Sequence, residues 1–124
     1  MRLLIDTQAF LWWMAGAPRL SASAREAIGD PANAVHFSIA SVWEIEIKRA
    51  IGKLRAPHDL AAAIKTEGFD LLPVELSHIA ALAGLPAHHR DPFDRMLLAQ
   101  AQVEGLRLVS ADTVFRRYGV APLW

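Results

Sequence analysis

Acidic residues follow apolar stretches at four widely separated places in this chain. Each lies at or just beyond the end of a stretch that leads into a predicted helix, and the four are Asp6, Glu44, Asp94 and Asp112. Side chains so distant in sequence can meet only if the preceding strands run parallel in one sheet, because parallel strands bring their carboxyl ends to the same edge. The pattern therefore predicts a parallel sheet with an acidic cluster at one edge.

Strands and helices are predicted to alternate along the whole chain. Short apolar stretches predict strands at residues 3–5, 35–39, 69–74 and 106–109, with a last extended piece at 120–123. Capping residues and glycine stops predict the intervening helices, which run from Asp6 to Gly16, from Ser23 to Gly29, 41–51, from Asp59 to Gly68, 77–82, from Asp91 to Gly105, and briefly around Phe115. This order favours a three-layer α/β/α sandwich with a mostly parallel sheet of four or five strands.

Length and composition limit the classes of protein to consider. With 124 residues, 53% of them apolar, the chain predicts a single domain over residues 1–124. Its formal net charge is zero, so any nucleic acid must be held by local positive patches. The absence of cysteine excludes disulfides and sulfur-based zinc sites and agrees with a reducing compartment. The first apolar run is too short for a signal peptide or a membrane span, so we expect a soluble cytoplasmic protein.

Each acidic residue also has a structural alternative. Asp6 is a favoured helix N-cap, and Glu44 follows a serine at capping-box spacing and precedes Lys48 by one helical turn. Asp94 lies in a first helical turn, where the macrodipole favours acids, and Asp112 could be a turn residue. Their joint placement favours a shared site, because several carboxylates on one edge offer the hard oxygen ligands of Mg²⁺ or Mn²⁺.

Other polar and aromatic residues have two interpretations each. Arg90, Arg95 and Arg116 flank the acidic residues, where they could form salt bridges or contact phosphates. The adjacent His88 and His89 indicate a polar loop first and substrate contacts second, because they lack the helical spacing of a zinc pair.

The tryptophans more often fill a core or an interface than stack on bases. The adjacent Trp12 and Trp13 cannot both face one core, so one of them could serve an oligomer interface, and we expect a homodimer. Trp43 is predicted to be a core or interface residue. There is no glycine-rich phosphate loop and no nucleophile elbow, which leaves nucleotide-hydrolysing and serine-hydrolase classes without support.

Four blocks of the sequence resemble PIN-domain ribonucleases in order and spacing. The blocks are Leu4–Thr7, Ser41–Ile45, Asp91–Ala101 and Leu108–Asp112. The similarity covers nearly the whole chain and is closest to the VapC-like toxins of bacterial toxin–antitoxin modules, for which the Asp-Pro-Phe-Asp-Arg block is distinctive.

The resemblance implies a Mg²⁺- or Mn²⁺-dependent endoribonuclease that cleaves RNA and is inhibited by a small antitoxin protein. Its acidic pocket would comprise Asp6, Glu44, Asp94 and Asp112. We assign Asp6 and Asp94 as metal ligands, Glu44 as a ligand or water orienter, and Asp112 as a ligand to a second ion. The expected supporting residues are Thr7 and Ser110, through hydrogen bonds, and Asp91, which matches a subgroup feature.

Two other classes of protein are alternatives. A non-catalytic binding module could keep the fold and the acidic pocket, although the presence of all four acidic residues argues against it. A receiver-type phospho-acceptor domain also has acids at parallel strand ends, but those form an adjacent pair after the first strand. Here Thr7 and Gln8 follow Asp6.

Overall fold

The computed structural model describes all residues from 1 to 124 and contains one parallel sheet. Its strands are β1 (Arg2–Ile5), β2 (Ala34–Ser38), β3 (Asp70–Leu72) and β4 (Arg107–Val109), in the order β3-β2-β1-β4. All three strand pairs are parallel. A single parallel bridge joins Val109 to Leu123, so the last extended piece adds one bridge rather than a fifth strand.

Six α-helices and one 3₁₀ helix connect the strands. They are α1 (Thr7–Ala15), α2 (Ala22–Gly29), α3 (Ile39–Ala50), α4 (Leu60–Thr66), α5 (Leu76–Leu82), α6 (Pro92–Glu104) and the 3₁₀ helix Thr113–Tyr118. The predicted α/β sandwich is confirmed, and no helix has the length and apolar character needed to cross a bilayer.

Three of the element boundaries that differ from the predictions have a local reason. Helix α2 is capped by Ser21 rather than Ser23, because the Ser21 hydroxyl accepts the Ala24 N–H. Helix α3 begins two residues early because the Ser38 hydroxyl caps it through the Ala40 N–H, which leaves Ser41 inside the helix. Strand β3 ends before Pro73, which has no N–H to extend the ladder.

The sheet separates two apolar layers. Leu3 and Ile5 of β1 pack into one cluster with Phe10 and Phe37, whose rings stack 4.1 Å apart, whereas Leu4 faces the opposite cluster. Neighbouring side chains of β1 thus point to opposite faces of the sheet, and both faces are buried.

The tryptophans lie at the margins of these layers. Trp12 and Trp13 are both half-buried: Trp12 packs against Trp124, and the Trp13 indole N–H donates to Glu67. Trp43 is 64% exposed, which excludes the core alternative of its prediction and leaves the interface alternative as a prediction.

The strand order creates a crevice at one edge of the sheet. From β1 the chain builds outwards through β2 and β3, and it then returns to add β4 on the other side of β1. Ligands of open parallel sheets bind where the order reverses, outside the carboxyl ends of the strands. In this protein that point lies between the ends of β1 and β4, where the Asp6 N–H donates to the Val109 carbonyl over 3.1 Å.

Candidate metal centre

A cavity of about 610 Å³ opens at this edge of the sheet. It is lined by all four predicted acidic residues together with Asp91, and also by Thr7, Gln8, Leu11, Lys48, Lys53, Leu54 and Ala111. The volume is within the range of ligand pockets in proteins. The structure therefore brings the predicted set together in one place.

The acidic residues reach this cavity by different routes. Asp6 directly follows β1, and Asp112 follows β4 after a short turn. Glu44 lies in the second turn of α3, and Asp94 lies in the first turn of α6, which is preceded by helix α5 rather than by a strand. The prediction that Asp94 follows a strand is therefore wrong, although the start of α6 brings it to the same edge.

Three carboxylates combine helix capping with a position in the cavity. Asp6 Oδ1 accepts the Ala9 N–H over 2.7 Å, and Asp112 Oδ1 accepts the Val114 N–H over 2.9 Å. Asp91 Oδ1 likewise accepts the Phe93 N–H over 2.8 Å. The capping alternative is correct for Asp6 and Asp91, and Asp112, whose alternative was a turn residue, caps the 3₁₀ helix. Each of these caps involves Oδ1 and leaves Oδ2 outside it. Capping thus fixes the direction of the carboxylate that faces the cavity.

Glu44 is held on both of its oxygens. It is only 4% exposed, Oε1 accepts the Thr7 hydroxyl over 2.6 Å, and Oε2 pairs with Lys48 one turn along α3. The hydrogen bond to Glu44 raises the pKa of Lys48, which keeps that ammonium charged beside the cavity. The capping-box alternative is wrong because Ser38 caps α3, and the buried Ser41 hydroxyl has no hydrogen-bond partner.

Burial and mutual repulsion disturb the ionisation of two of the acidic residues. Burial raises the pKa of Asp6 to about 6, against the opposing effect of a hydrogen bond with the Ser110 side chain. Burial, followed by the negative charges of Asp91 and Asp6, raises the pKa of Asp94 to about 7, and His89 partly opposes this rise. A divalent cation would relieve both effects, because it compensates the lost hydration and the repulsion.

The two predicted hydroxyl supports both contact acidic residues. Besides the contact of Thr7 with Glu44, the buried Ser110 accepts the Asp112 N–H over 3.0 Å while it hydrogen-bonds Asp6. Ser110 thereby links the ends of β1 and β4 across the crevice.

Of the residues at the cavity, His89 was predicted as a loop residue or a substrate contact, and Lys53 was not predicted. His89 Nε2 lies 3.0 Å from Asp94 Oδ2 and 3.0 Å from Asp112 Oδ2. Lys53 lines the cavity from the turn after α3. The only sequence signal that places His89 at the site is its position two residues before Asp91, the N-cap of α6. Because the start of α6 lies beside the acidic residues, His89 lies beside them as well.

The arginines divide into two groups. Arg95 donates to the Pro86 carbonyl over 2.9 Å and to the Tyr118 hydroxyl over 3.4 Å, so it anchors the segment before α6. Arg90 and Arg116 are exposed and do not line the cavity. Neither forms a salt bridge with the acidic residues.

Sequence comparisons identify the family of this chain. The PIN-domain family matches residues 3–121. The chain is 31% identical over 126 residues to Ribonuclease VapC22 of Mycobacterium tuberculosis, and the alignment covers 94% of this chain and 91% of that protein.

Two solved structures share the fold. The structure of VapBC2 from Rickettsia felis bound to a promoter DNA fragment gives a TM-score of 0.68 at 12% identity, with 100% of this chain and 98% of the other covered. A toxin–antitoxin complex from Klebsiella pneumoniae gives 0.59 at 18% identity, with 90% and 87% covered. The sequence matches span almost every residue of both apolar layers and all residues that line the acidic cavity. They establish that the chain belongs to the PIN-domain family.

Proposed function

We propose that this protein is a Mg²⁺- or Mn²⁺-dependent endoribonuclease that acts as the toxin of a toxin–antitoxin pair. The observation that carries the proposal is the convergence of Asp6, Glu44, Asp94 and Asp112 on one cavity at the switch point of the sheet. The similarity to a ribonuclease over 94% of the chain supports it. A cytoplasmic location, where RNA is abundant, is part of this proposal.

The donor set fits a hard divalent cation. The acidic residues offer oxygen atoms, and the pKa values of Asp6 and Asp94 are raised first by burial and then by the negative charges of neighbouring acidic residues, both of which a cation would offset. In the proposed site Asp6 and Asp94 hold the ion, and Asp112 contributes to a second one. When bound, the ion would neutralise charge on the phosphate and lower the pKa of a water molecule.

The protein itself would position the reactants. Thr7 and Lys48 fix the Glu44 carboxylate, which would orient the attacking water within the cavity. Lys53 at the cavity and the exposed Arg90 and Arg116 near it are candidate contacts for RNA phosphates. Local cations of this kind are needed because the net charge of the chain is zero.

A cleavage assay tests the activity. Purified protein incubated with mixed cellular RNA should produce new ends with Mg²⁺ or Mn²⁺ and none in excess chelator. Asp6→Asn or Asp94→Asn should reduce the rate at least about a hundredfold, the scale of losing several kcal/mol of transition-state stabilisation. Asp70→Asn, at an exposed position on β3, is the matched control. Full activity in chelator would rule out the metal-dependent mechanism.

An exposed apolar stripe on α3 supports a protein partner. It consists of every fourth residue of α3, Ile39, Trp43 and Ile47, and continues to Ile51 just after the helix; each is between 41% and 64% exposed. The Trp43 ring packs edge-on against Phe93 at 5.4 Å, and Phe93 lies between Asp91 and Asp94. A partner that covers the stripe would therefore also reach the mouth of the cavity, as an inhibitor must.

We propose that the antitoxin occupies this stripe, and the fold shared with the toxin–antitoxin complex from Klebsiella pneumoniae supports a partner of this kind. Expression of the protein alone should arrest growth, and a small protein from a neighbouring gene should relieve the arrest. Trp43→Ser should weaken antitoxin binding, whereas Leu76→Ser, at an exposed apolar residue of α5, should not. If Trp43→Ser instead dissociates a homodimer and leaves antitoxin binding intact, the stripe belongs to the predicted homodimer.

A further inference from the structure

The hydrogen bonds of His89 fix which of its ring nitrogens carries a proton. Nδ1 accepts the backbone N–H of Asp91 over 3.2 Å, so Nδ1 must present a lone pair. In a neutral imidazole the hydrogen then sits on Nε2. His89 therefore points an N–H group, and not a lone pair, towards the acidic residues.

The Nε2–H group of His89 lies between two of the proposed metal ligands. It hydrogen-bonds Asp112 Oδ2 over 3.0 Å, and Asp94 Oδ2 lies at the same distance from Nε2. Asp112 Oδ1 already caps the 3₁₀ helix. The carboxylate oxygen that Asp112 has left for a cation is thus the oxygen that His89 contacts.

We propose that His89 is a positioning residue that occupies the place of the cation in the metal-free protein and is displaced when the ion binds. A nitrogen that donates its hydrogen cannot also ligate a metal, so an ion bound at Asp94 Oδ2, or a second ion at Asp112 Oδ2, excludes the His89 contact there. The inference rests on the proposed function, because it assumes that these carboxylates bind a divalent cation.

The displacement is a movement of the side chain. The backbone N–H of His89 donates to the Tyr118 hydroxyl over 2.8 Å, and Arg95 holds the preceding Pro86 carbonyl. These contacts keep the main chain in place while the imidazole rotates away. Before the ion arrives, the Nε2–H group reduces the repulsion between the two carboxylates.

Metal affinity distinguishes a placeholder from a ligand. Calorimetric titration with Mn²⁺ should show about tenfold tighter binding to His89→Ala than to the wild type, because the ion no longer replaces a hydrogen bond to a charged group. His88→Ala is the matched control, since the His88 ring packs on Tyr118 and makes no contact with the acidic residues, and it should leave the affinity unchanged. Weaker binding to His89→Ala would identify a ligand, and equal binding would deny any role; both results overturn the inference.

A measurement on the wild-type protein removes any dependence on how the variant folds. With ¹⁵N-labelled histidine, the metal-free protein should show His89 as the Nε2–H tautomer, and saturating Mg²⁺ should shift its ring signals while those of His88 stay fixed. Unshifted His89 signals at saturation would also overturn the inference. If the wild type binds no Mn²⁺, the proposed function fails as well. If Asp94→Asn abolishes binding but His89→Ala does not tighten it, only the role of His89 is refuted.

Discussion

Single carboxylates in this pocket combine a structural contact with a position at the cavity. Asp6 and Asp112 each cap a helix with Oδ1, and this bond fixes the direction of the whole group. A capping residue and a metal ligand are therefore not competing interpretations. Asp94 differs, because it caps nothing and its pKa is raised most.

The raised pKa of Asp94 predicts a pH-dependent stability of the metal-free protein. Its pKa rises from an ordinary value of 3.8 to about 7 in the fold, so the folded state favours the protonated form. The associated stability is present below about pH 4 and is lost as the pH rises through about 7. In chelator, the melting temperature of the wild type should fall between about pH 4 and about pH 7, and that of Asp94→Asn should fall less. Parallel curves for the two proteins would contradict the assignment.

The Thr7 hydroxyl is predicted to stabilise the buried Glu44. Thr7→Val keeps the size of the side chain but removes the donor 2.6 Å from Glu44 Oε1. A hydrogen bond to a charged group contributes about 1.5–3 kcal/mol, so the free energy of unfolding should drop by about that amount in urea titrations. Cleavage should fall too, because Glu44 loses one of its two fixed contacts. Thr66→Val, at an exposed position at the end of α4, should change neither quantity.

At the scale of elements, the segment between α5 and α6 brings His89 and Asp91 to the pocket. Its main anchor is the Tyr118 hydroxyl, which accepts from the His89 N–H over 2.8 Å and from Arg95 over 3.4 Å. Arg95 thus has an anchoring role within the fold, and its predicted contact with RNA phosphates stays a prediction. The position of the acidic edge thus depends on the 3₁₀ helix that carries Tyr118.

Removing the Tyr118 hydroxyl should loosen this segment selectively. In Tyr118→Phe two donors lose their acceptor, so amide hydrogen exchange should accelerate over residues 86–91 and change little in β1 and β2. His88→Ala, which loses ring packing on Tyr118 but no hydrogen bond, is the comparison. Equal acceleration in both variants would show that ring packing, not the hydroxyl, anchors the segment.

For the whole molecule, metal binding and folding should be linked. A ligand at a hundredfold excess over its dissociation constant stabilises the native state by about 2.7 kcal/mol, which corresponds to several degrees in a domain of this size. We expect Mn²⁺ to raise the melting temperature of the wild type. Near neutral pH, Asp94→Asn should melt higher than the wild type in chelator, because one repelling charge is gone, and should respond much less to Mn²⁺.

Asp70→Asn controls for the loss of one acidic residue elsewhere on the surface, and it should keep the full response to Mn²⁺. If Asp94→Asn is equally or less stable in chelator and keeps the full response, Asp94 acts only within the first turn of α6 and is not a ligand.

Local sequence patterns were sufficient to predict the elements and the members of the acidic set. Caps, glycine stops and apolar periodicity act between residues a few positions apart, so α6 could be predicted from Asp91-Pro92 to Gly105. Alternation of strands and helices was enough to predict a parallel sheet, and a parallel sheet brings the strand-end carboxylates of Asp6 and Asp112 to one edge.

Only the tertiary structure determined which surfaces are exposed to solvent and which distant residues are in contact. The exposure of Trp43, the anchoring role of Arg95 and the contact of His89 with Asp112, 23 positions along the chain, all depend on how α3, α6 and the 3₁₀ helix pack on the sheet. Packing of this kind is set by the shapes of many distant side chains together, and no local spacing rule reports it.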